Sequence, residues 1–295
     1  MNNTKAKATH THKVCACLDR HPETASVIDW AAWAAGRLDA PLELLHVLER
    51  PADRAGADYT GALGLGAQET LLLQLAELDE ARGRLAQEAG RHLLAAGQAH
   101  VHALTAGLSH CSTRLRHGEL VDAALEGEHD TRLFVLGQHH RDQHPVRRHL
   151  DHHLERLIRA VQRPVLVSTG SFAAPTRFAI AYDGSPTAQR AMERVAQSPL
   201  LTGLPAELVM AGRDTASHHQ TLAQARQHLE AAGFLVTTTL LEGEPEQQLP
   251  AHLKANGTSL LVIGAYGHTR IREWIVGSTT TALLRASPCP LLILR

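Results

Sequence analysis

The 295-residue chain has no surplus of charge of either sign. Its 29 Lys and Arg stand against 30 Asp and Glu, a formal net charge of −1. A protein that neutralises duplex phosphates needs a basic excess, so a nucleic-acid partner is not expected. No apolar run approaches the ~20 residues of a membrane-spanning helix. Residues 1–13 are polar and lack the apolar core of a secretory signal. These absences lead to the expectation of a soluble, cytoplasmic protein with no membrane partner. The four cysteines, Cys15, Cys17, Cys111 and Cys289, include no C-x-x-C pair. Cys15 and Cys17 alternate along one predicted strand and are read as not facing a single site. Buried, reduced thiols are the expectation. There is no H-E-x-x-H arrangement, which leaves a hydrolytic zinc site unsupported. There is also no G-x-x-x-x-G-K-[ST] loop, so efficient phosphoryl transfer is not expected.

What is present is length for two domains of about 150 residues each, 44% apolar residues, and an internal repeat. Residues 14–19 (VCACLD) match 178–183 (FAIAYD): each is an apolar run that ends in Asp and leads into a helix. Residues 42–47 (LELLHV) match 206–211 (AELVMA), and 116–119 (RHGE) match 241–244 (LEGE). Residues 133–137 (LFVLG) match 261–264 (LVIG), and 163–167 (RPVLV) match 289–293 (CPLLI). The apolar residues Ala188, Ala191, Met192, Val195 and Ala196 share one helical face behind a Ser185-Pro186 start, as do Ile28, Ala31, Ala32 and Ala35 in the first copy. Short apolar strands alternating with helices predict a parallel sheet covered on both faces, once per half. The small-residue stretch 169–175 (TGSFAAP) marks the junction, giving domains 1–170 and 171–295. Pro250 is expected to kink or shorten its helix. The first half carries an insert over 49–97. Its Gly61, Gly64 and Gly66 read as a mobile loop rather than a phosphate loop, since no strand precedes them.

The segment richest in chemistry is 261–281, LVIGAYGHTRIREWIVGSTTT, which reads G-x2-G-x9-G-S through Gly264, Gly267, Gly277 and Ser278. Gly264 ends a strand, and Gly277-Ser278 opens a helix predicted over 279–286. Glycines let backbone N–H groups approach phosphate oxygens. A helix start supplies unpaired N–H donors and a partial positive charge. Ser278, Thr279 and Thr280 add hydroxyls. Such a ligand lies at the carboxyl ends of the parallel strands. Asp183 ends the first strand on the same edge. Its carboxylate can accept from ribose hydroxyls; the plainer reading is a turn cap with Gly184.

These motifs, present across nearly the whole chain and twice over, resemble the universal stress protein family in its tandem form. The resemblance implies two tandem open five-stranded parallel α/β sheets, Rossmann-like and of the adenine-nucleotide alpha-hydrolase type, joined as an intramolecular pseudo-dimer through antiparallel pairing of the two last strands, 163–167 and 289–293. It implies binding of ATP, or of ADP or AMP, with Mg accompanying ATP, and a stress-response or regulatory role. By the same resemblance Asp183 holds the ribose, and Ala181 and Ala211 line the adenine pocket. Ile263, Gly264 and Gly267 border the ribose and phosphates, and Gly277, Ser278, Thr279 and Thr280 bind the phosphates. Arg270 and Arg272 either reach that charge or stay solvated. No catalytic base or nucleophile stands beside the loop, so no dedicated reaction is expected, and slow ATP hydrolysis is left open. The alternatives are an interaction scaffold with a relic loop and an adenylate-transferring enzyme of the same α/β group. A homodimer of chains is left open.

The first half departs from the pattern. It keeps Asp19 and Gly137, but His140 stands where the second glycine belongs and 150–152 (LDH) replaces Gly-Ser. A bulky side chain and an acid at the helix start predict lost ATP binding in that half. His139, His140, His144, His149, His152 and His153 crowd the segment. The spacing of His149, His152 and His153 can present imidazoles to one metal ion. The competing readings are a polar surface and an anion-receiving imidazole cluster.

Overall fold

The computed structural model describes residues 12–49, 65–104, 110–138, 152–264 and 278–295; for 65–73, 152 and 278–280 it describes the backbone alone. The first half contributes strands β1 (Lys13–Leu18), β2 (Leu42–Leu48), β3 (Cys111–His117), β4 (Thr131–Gly137) and β5 (Val165–Ser168). Its helices are α1 (Thr24–Leu38), α2 (Leu65–Leu104), α3 (Leu120–Glu126) and α4 (His152–Ala160). The second half repeats the order with β6 (Phe178–Ala181), β7 (Ala206–Ala211), β8 (Val236–Leu241), β9 (Leu261–Gly264) and β10 (Leu291–Leu294). Its helices are α5 (Pro186–Gln197), α6 (Ala216–Ala231), α7 (Pro245–Ala255) and α8 (Ser278–Ala286).

All ten strands form one sheet in the order β3-β2-β1-β4-β5-β10-β9-β6-β7-β8. Every pairing within a half is parallel. Among the described residues the one antiparallel pairing joins β5 to β10, with Leu291 opposite Val167, Leu292 opposite Leu166 and Ile293 opposite Val165. The expected pseudo-dimer through the last strands is therefore present. In each half the strand order reverses beside the first strand, between β1 and β4 and between β6 and β9. Open α/β sheets bind ligands outside the carboxyl ends of their strands at such a switch point.

Side chains alternate between two apolar layers, as the two-residue period of a strand requires. Val14, Ala16 and Leu18 join the layer under α1, α2, α5 and α6. Cys15 and Cys17 join the opposite layer, under α3, α4, α7 and α8. This corrects the sequence reading: residues two apart on a strand share a face. Hydrogen bonding to Cys17, together with full burial, pushes the Cys15 thiol well above its ordinary range. All four cysteines are free; three are buried and Cys111 is half-buried.

The helix α7 runs from Pro245 to Ala255 with Pro250 inside it, so the proline does not end the helix. Pro250 lacks the N–H that would reach the Glu246 carbonyl four residues back. In the insert, Gly61 and Gly64 lie outside the described residues, while Gly66 belongs to the first turn of the 40-residue helix α2. The C-terminal part of α2 docks closely on the sheet. A Cβ on Gly90 would come within 2.9 Å of Leu115, and one on Gly97 within 3.1 Å of Leu44. Among the described residues no helix is long and apolar enough to cross a membrane.

The start of β1 is fixed by charge. Lys13 Nζ lies 2.9 Å from Glu43 Oε1 and 3.0 Å from Asp130 Oδ2, and Arg114 lies 3.0 Å from Glu43 Oε2. Burial alone would raise the Asp130 carboxyl, but the Lys13 ammonium outweighs it and holds the group below its usual 3.8. A depressed folded pKa contributes stability above the unfolded value that is lost as pH falls through the folded one. Asp130→Asn should therefore flatten the acid limb of a stability profile below about pH 4 while leaving the neutral region little changed. Denaturant melts across pH 2–7 would read this. Trp30, 1% exposed on α1, packs edge-on against Trp33 and Phe172. Trp30→Ala should cost about 3–5 kcal/mol in urea unfolding.

Candidate functional site

At the β6–β9 switch point the sequence-predicted residues divide into those brought together and those outside the described set. Ala181 ends β6 and pairs in register with Ile263 of β9, which Gly264 follows. Ala211 ends the neighbouring strand β7. Asp183 lies two residues beyond β6, exposed at the same edge. Its Oδ1 accepts from the Ser185 backbone N–H at 2.9 Å, and Gly184 follows with φ +75°, where a side chain would be strained. The turn-cap reading of Asp183 thus describes one of its oxygens. No partner is recorded for the other among the described residues, so it is available at the strand edge.

The helix after this turn begins as its sequence prescribes. The Ser185 hydroxyl accepts from Ala188 N–H at 3.2 Å and Pro186 holds the first helical position. Its first turn presses on the end of β9. A Cβ on Gly264 would lie 2.8 Å from the Thr187 carbonyl oxygen and 3.1 Å from its methyl group. Gly264 is therefore required by packing between β9 and α5 as well as by any ligand. Thr187 is the residue that sequence reasoning passed over; its place right after the Ser-Pro start was the available signal.

Gly267, Gly277, Arg270 and Arg272 lie outside the described residues. Helix α8 begins at Ser278, one residue earlier than expected, so the backbones of Ser278, Thr279 and Thr280 form its first turn. Those first N–H groups have no intrahelical partner. Thr281 Oγ1, on the same turn, is buried without a hydrogen-bond partner among the described residues. The helix is anchored below by Leu283 and Leu284 in the apolar layer under α3, α4, α7 and α8. The edge can thus supply an exposed carboxylate oxygen, a glycine closely packed at a strand end, and a helix start with spare donors.

The corresponding edge of the first half is built from different side chains. A cavity of about 200 Å³ is lined by Cys17, Asp19, His46, Glu49, Gly137 and His153, among others. Asp19 is held more tightly than Asp183, since its Oδ1 accepts from His21 N–H and from the Thr24 hydroxyl. His46 donates its Nδ1 proton to the Leu18 carbonyl at 2.7 Å. Glu49 lies 3.3 Å from His153 Nδ1. Helix α4 starts at His152, where the repeat places Ser278. Two carboxylates facing one cavity disfavour a polyanionic ligand. Of the expected metal ligands, the side chains of His149 and His152 lie outside the described residues. No group of three His, Cys, Asp or Glu side chains suited to a metal occurs among the described ones.

A Gly264→Val substitution should push α5 off β9, since the obstructing atom is backbone. We expect it to cost about 1–3 kcal/mol of stability, read as a lowered urea midpoint. An unchanged midpoint would show that the contact with Thr187 is not tight.

The family profile described as "Universal stress protein family" matches residues 10–168 and again 176–295. Universal stress protein Slr1230 of Synechocystis sp. is 31% identical over 284 residues, covering 95% of this chain and 98% of that protein. Universal stress protein YxiE of Bacillus subtilis is 32% identical over 74 residues, 25% of this chain and 50% of that protein. A universal stress protein from Archaeoglobus fulgidus shares the fold at a TM-score of 0.71 with 16% identity, over 97% of this chain and 98% of that one. A functionally unknown protein from Pseudomonas aeruginosa PAO1 does so at 0.58 with 15% identity, over 96% and 92%. Matched twice along its length by the family profile and nearly end to end by Slr1230, the chain belongs to the universal stress protein family.

Proposed function

We propose that the chain is an adenine-nucleotide-binding regulatory protein of this family, with one site per chain, in the second of two domains spanning 1–170 and 171–295. The observation that carries this reading is the free carboxylate oxygen of Asp183 standing on the same strand edge as Gly264, at the switch point of the second half. There Asp183 accepts from the ribose hydroxyls, and Ala181 and Ala211 flank the base through their backbones. Ile263, Gly264 and Gly267 border the sugar and first phosphates. The N–H groups opening α8, with Gly277, Ser278, Thr279 and Thr280, take the phosphate charge. The groups fit such a ligand: the helix start offers donors and the buried Thr281 hydroxyl lacks a partner among the described residues. In the first half, Asp19 and Glu49 face the equivalent cavity and oppose phosphate. The protein works by holding nucleotide rather than by turning it over, in the aqueous cytoplasm.

Mass spectrometry of ligand released from denatured purified protein identifies the nucleotide, and calorimetric titration with ATP should give a stoichiometry near one. Two equivalent sites per chain would sink the assignment. Gly277→Val should abolish binding with the fold retained, because a β-branched side chain blocks backbone approach. Asp183→Ala should weaken binding by roughly 1–3 kcal/mol. Asp183→Asn keeps an oxygen to cap the turn and so isolates the charge. If Asn binds ATP as weakly as Ala in a folded protein, the loss comes from the charge; if it binds like the parent, the turn is what matters.

A further inference from the structure

The two halves are copies, so a position where they differ at the seam stands out. Asp19-x-x-Pro22 and Asp183-x-x-Pro186 align α1 with α5. Counted from those prolines, Trp30 and Trp33 of α1 correspond to Arg194 and Gln197 of α5. On the α1 side Trp30 packs edge-on against Trp33 and Phe172, at ring distances of 5.4 and 5.1 Å. On the α5 side Arg194 and Gln197 are exposed, and a cavity of about 240 Å³ opens between the halves. Leu133, Val195, Leu201, Leu292 and Leu294 give it an apolar lining.

The rim of this cavity is cationic. Arg132 and Arg163 come from the first half and Arg194 from the second. The repeat places uncharged Ser259 and Cys289 where Arg132 and Arg163 stand, so this charge belongs to one side of the seam only. None of the three guanidinium groups pairs with a carboxylate among the described residues. Arg132 Nη1 donates to the Leu38 carbonyl at 3.1 Å. Arg163 donates from Nε to Glu128 O at 3.2 Å and from Nη2 to His129 O at 3.3 Å. Arg163 and Arg194 also face an adjoining basin of about 430 Å³. The one carboxylate lining that basin, Glu128, already receives the backbone N–H groups of Gln162 and Arg163 on Oε1. An apolar cleft with a few convergent polar groups is the usual form of a small-molecule site. Arginine suits carboxylate recognition because its planar fork can donate two parallel bonds.

We propose that this seam cavity binds a small amphipathic anion: an aliphatic monocarboxylate whose chain lies on the leucine floor and whose head meets the arginine rim. The leucine floor gives room for a medium-length aliphatic chain. The site is made by the pairing of the two halves and is distinct from the nucleotide edge. It has no counterpart across the pseudo-two-fold, where Trp30 and Trp33 occupy the corresponding positions.

Octanoate is the probe, titrated into the intact chain below its micelle concentration and followed by calorimetry and by NMR of the labelled acid. Saturable binding is expected, with 1-octanol at least about tenfold weaker because it lacks the charge. Arg194→Trp installs the residue of the opposite side and should abolish octanoate binding. Arg194→Gln, which changes the charge with little change in packing, should weaken it roughly tenfold. Arg194 is exposed, so both variants should melt as the parent does. Asp183→Ala should bind octanoate unchanged, which separates this site from the nucleotide reading. Absence of saturable binding, equal affinity for octanol, unchanged affinity in both Arg194 variants, or displacement by ATP would each overturn the proposal.

Discussion

The antiparallel pairing of β5 with β10 is the constraint on which the rest of the molecule hangs. Each strand is the outermost of its own parallel set, and each is buried: Val165, Leu166, Val167, Leu291, Leu292 and Ile293 are all 2% exposed or less. Separated, the two strands would present rows of unpaired N–H and C=O groups on flat apolar edges. Because both edges belong to one chain, they meet at an effective concentration that a free partner does not easily match. The seam is reinforced away from the strands. Arg37 donates to the Leu200 carbonyl at 3.0 Å and also to that of Thr202; Arg295 donates to Ile158 O and Arg159 O at 2.6 and 2.8 Å; and the Gln138 amide donates to Leu284 O. Each of these bonds runs from one half to the other and ends on a backbone carbonyl. They position helices rather than neutralise charge.

Much of this architecture was legible because it rests on local signals. The apolar runs at 42–47, 206–211 and 261–264 became β2, β7 and β9 with at most a one-residue change at an end. A parallel strand buried on both faces has no polar alternation to confuse it with an amphipathic helix. Ser185-Pro186 gave the start of α5 to the residue for the same reason: capping is decided within four residues. The misreadings came where a local rule was misapplied or was outweighed by packing. Cys15 and Cys17 share a face because the strand period is two, and Cys15 is buried against its neighbour. Pro250 sits inside α7, where Leu249 and Leu253 are buried and hold the helix across the missing bond. The insert before Gly97 reads as irregular at its glycines. Its later residues, by contrast, carry a long helix whose C-terminal part docks on the sheet, with Gly90 and Gly97 permitting the close approach.

The candidate site was legible in part for a different reason. Asp183 and Gly264 announce themselves by sitting at strand ends, and their roles in the fold are now explicit: one caps a turn and the other admits α5. Neither role requires a ligand, so the residue types alone did not distinguish packing from binding. The proposed binding role is supported by the position of both at the β6–β9 switch point, which depends on strand order, and strand order is a property of the whole sheet. Thr187 had only its place after Ser185-Pro186 to mark it, because its importance lies in a contact with a glycine far along the chain.

The two halves show how far copies can drift while the frame is kept. Glu43 of β2 and Glu207 of β7 occupy the same repeat position, and both are buried. A buried carboxylate is tolerated only with partners. In the first half the partners are Lys13 and Arg114. In the second they are the Thr239 hydroxyl at 2.7 Å and His252 Nε2 at 2.8 Å. The first solution is a charge network between β1, β2 and β3; the second is a hydrogen-bonded group reaching from β7 to the edge strand β8 and to α7. The duplicated frame thus supports one half whose buried acid is met by two cationic side chains and another whose acid is met by a hydroxyl and an imidazole. The same freedom is visible at the strand edges, where His46 and Glu49 stand in the first half and Met210 and Arg213 follow the repeat in the second. One pairing of last strands holds the frame, so the side chains around each switch point are free to differ without the sheet coming apart.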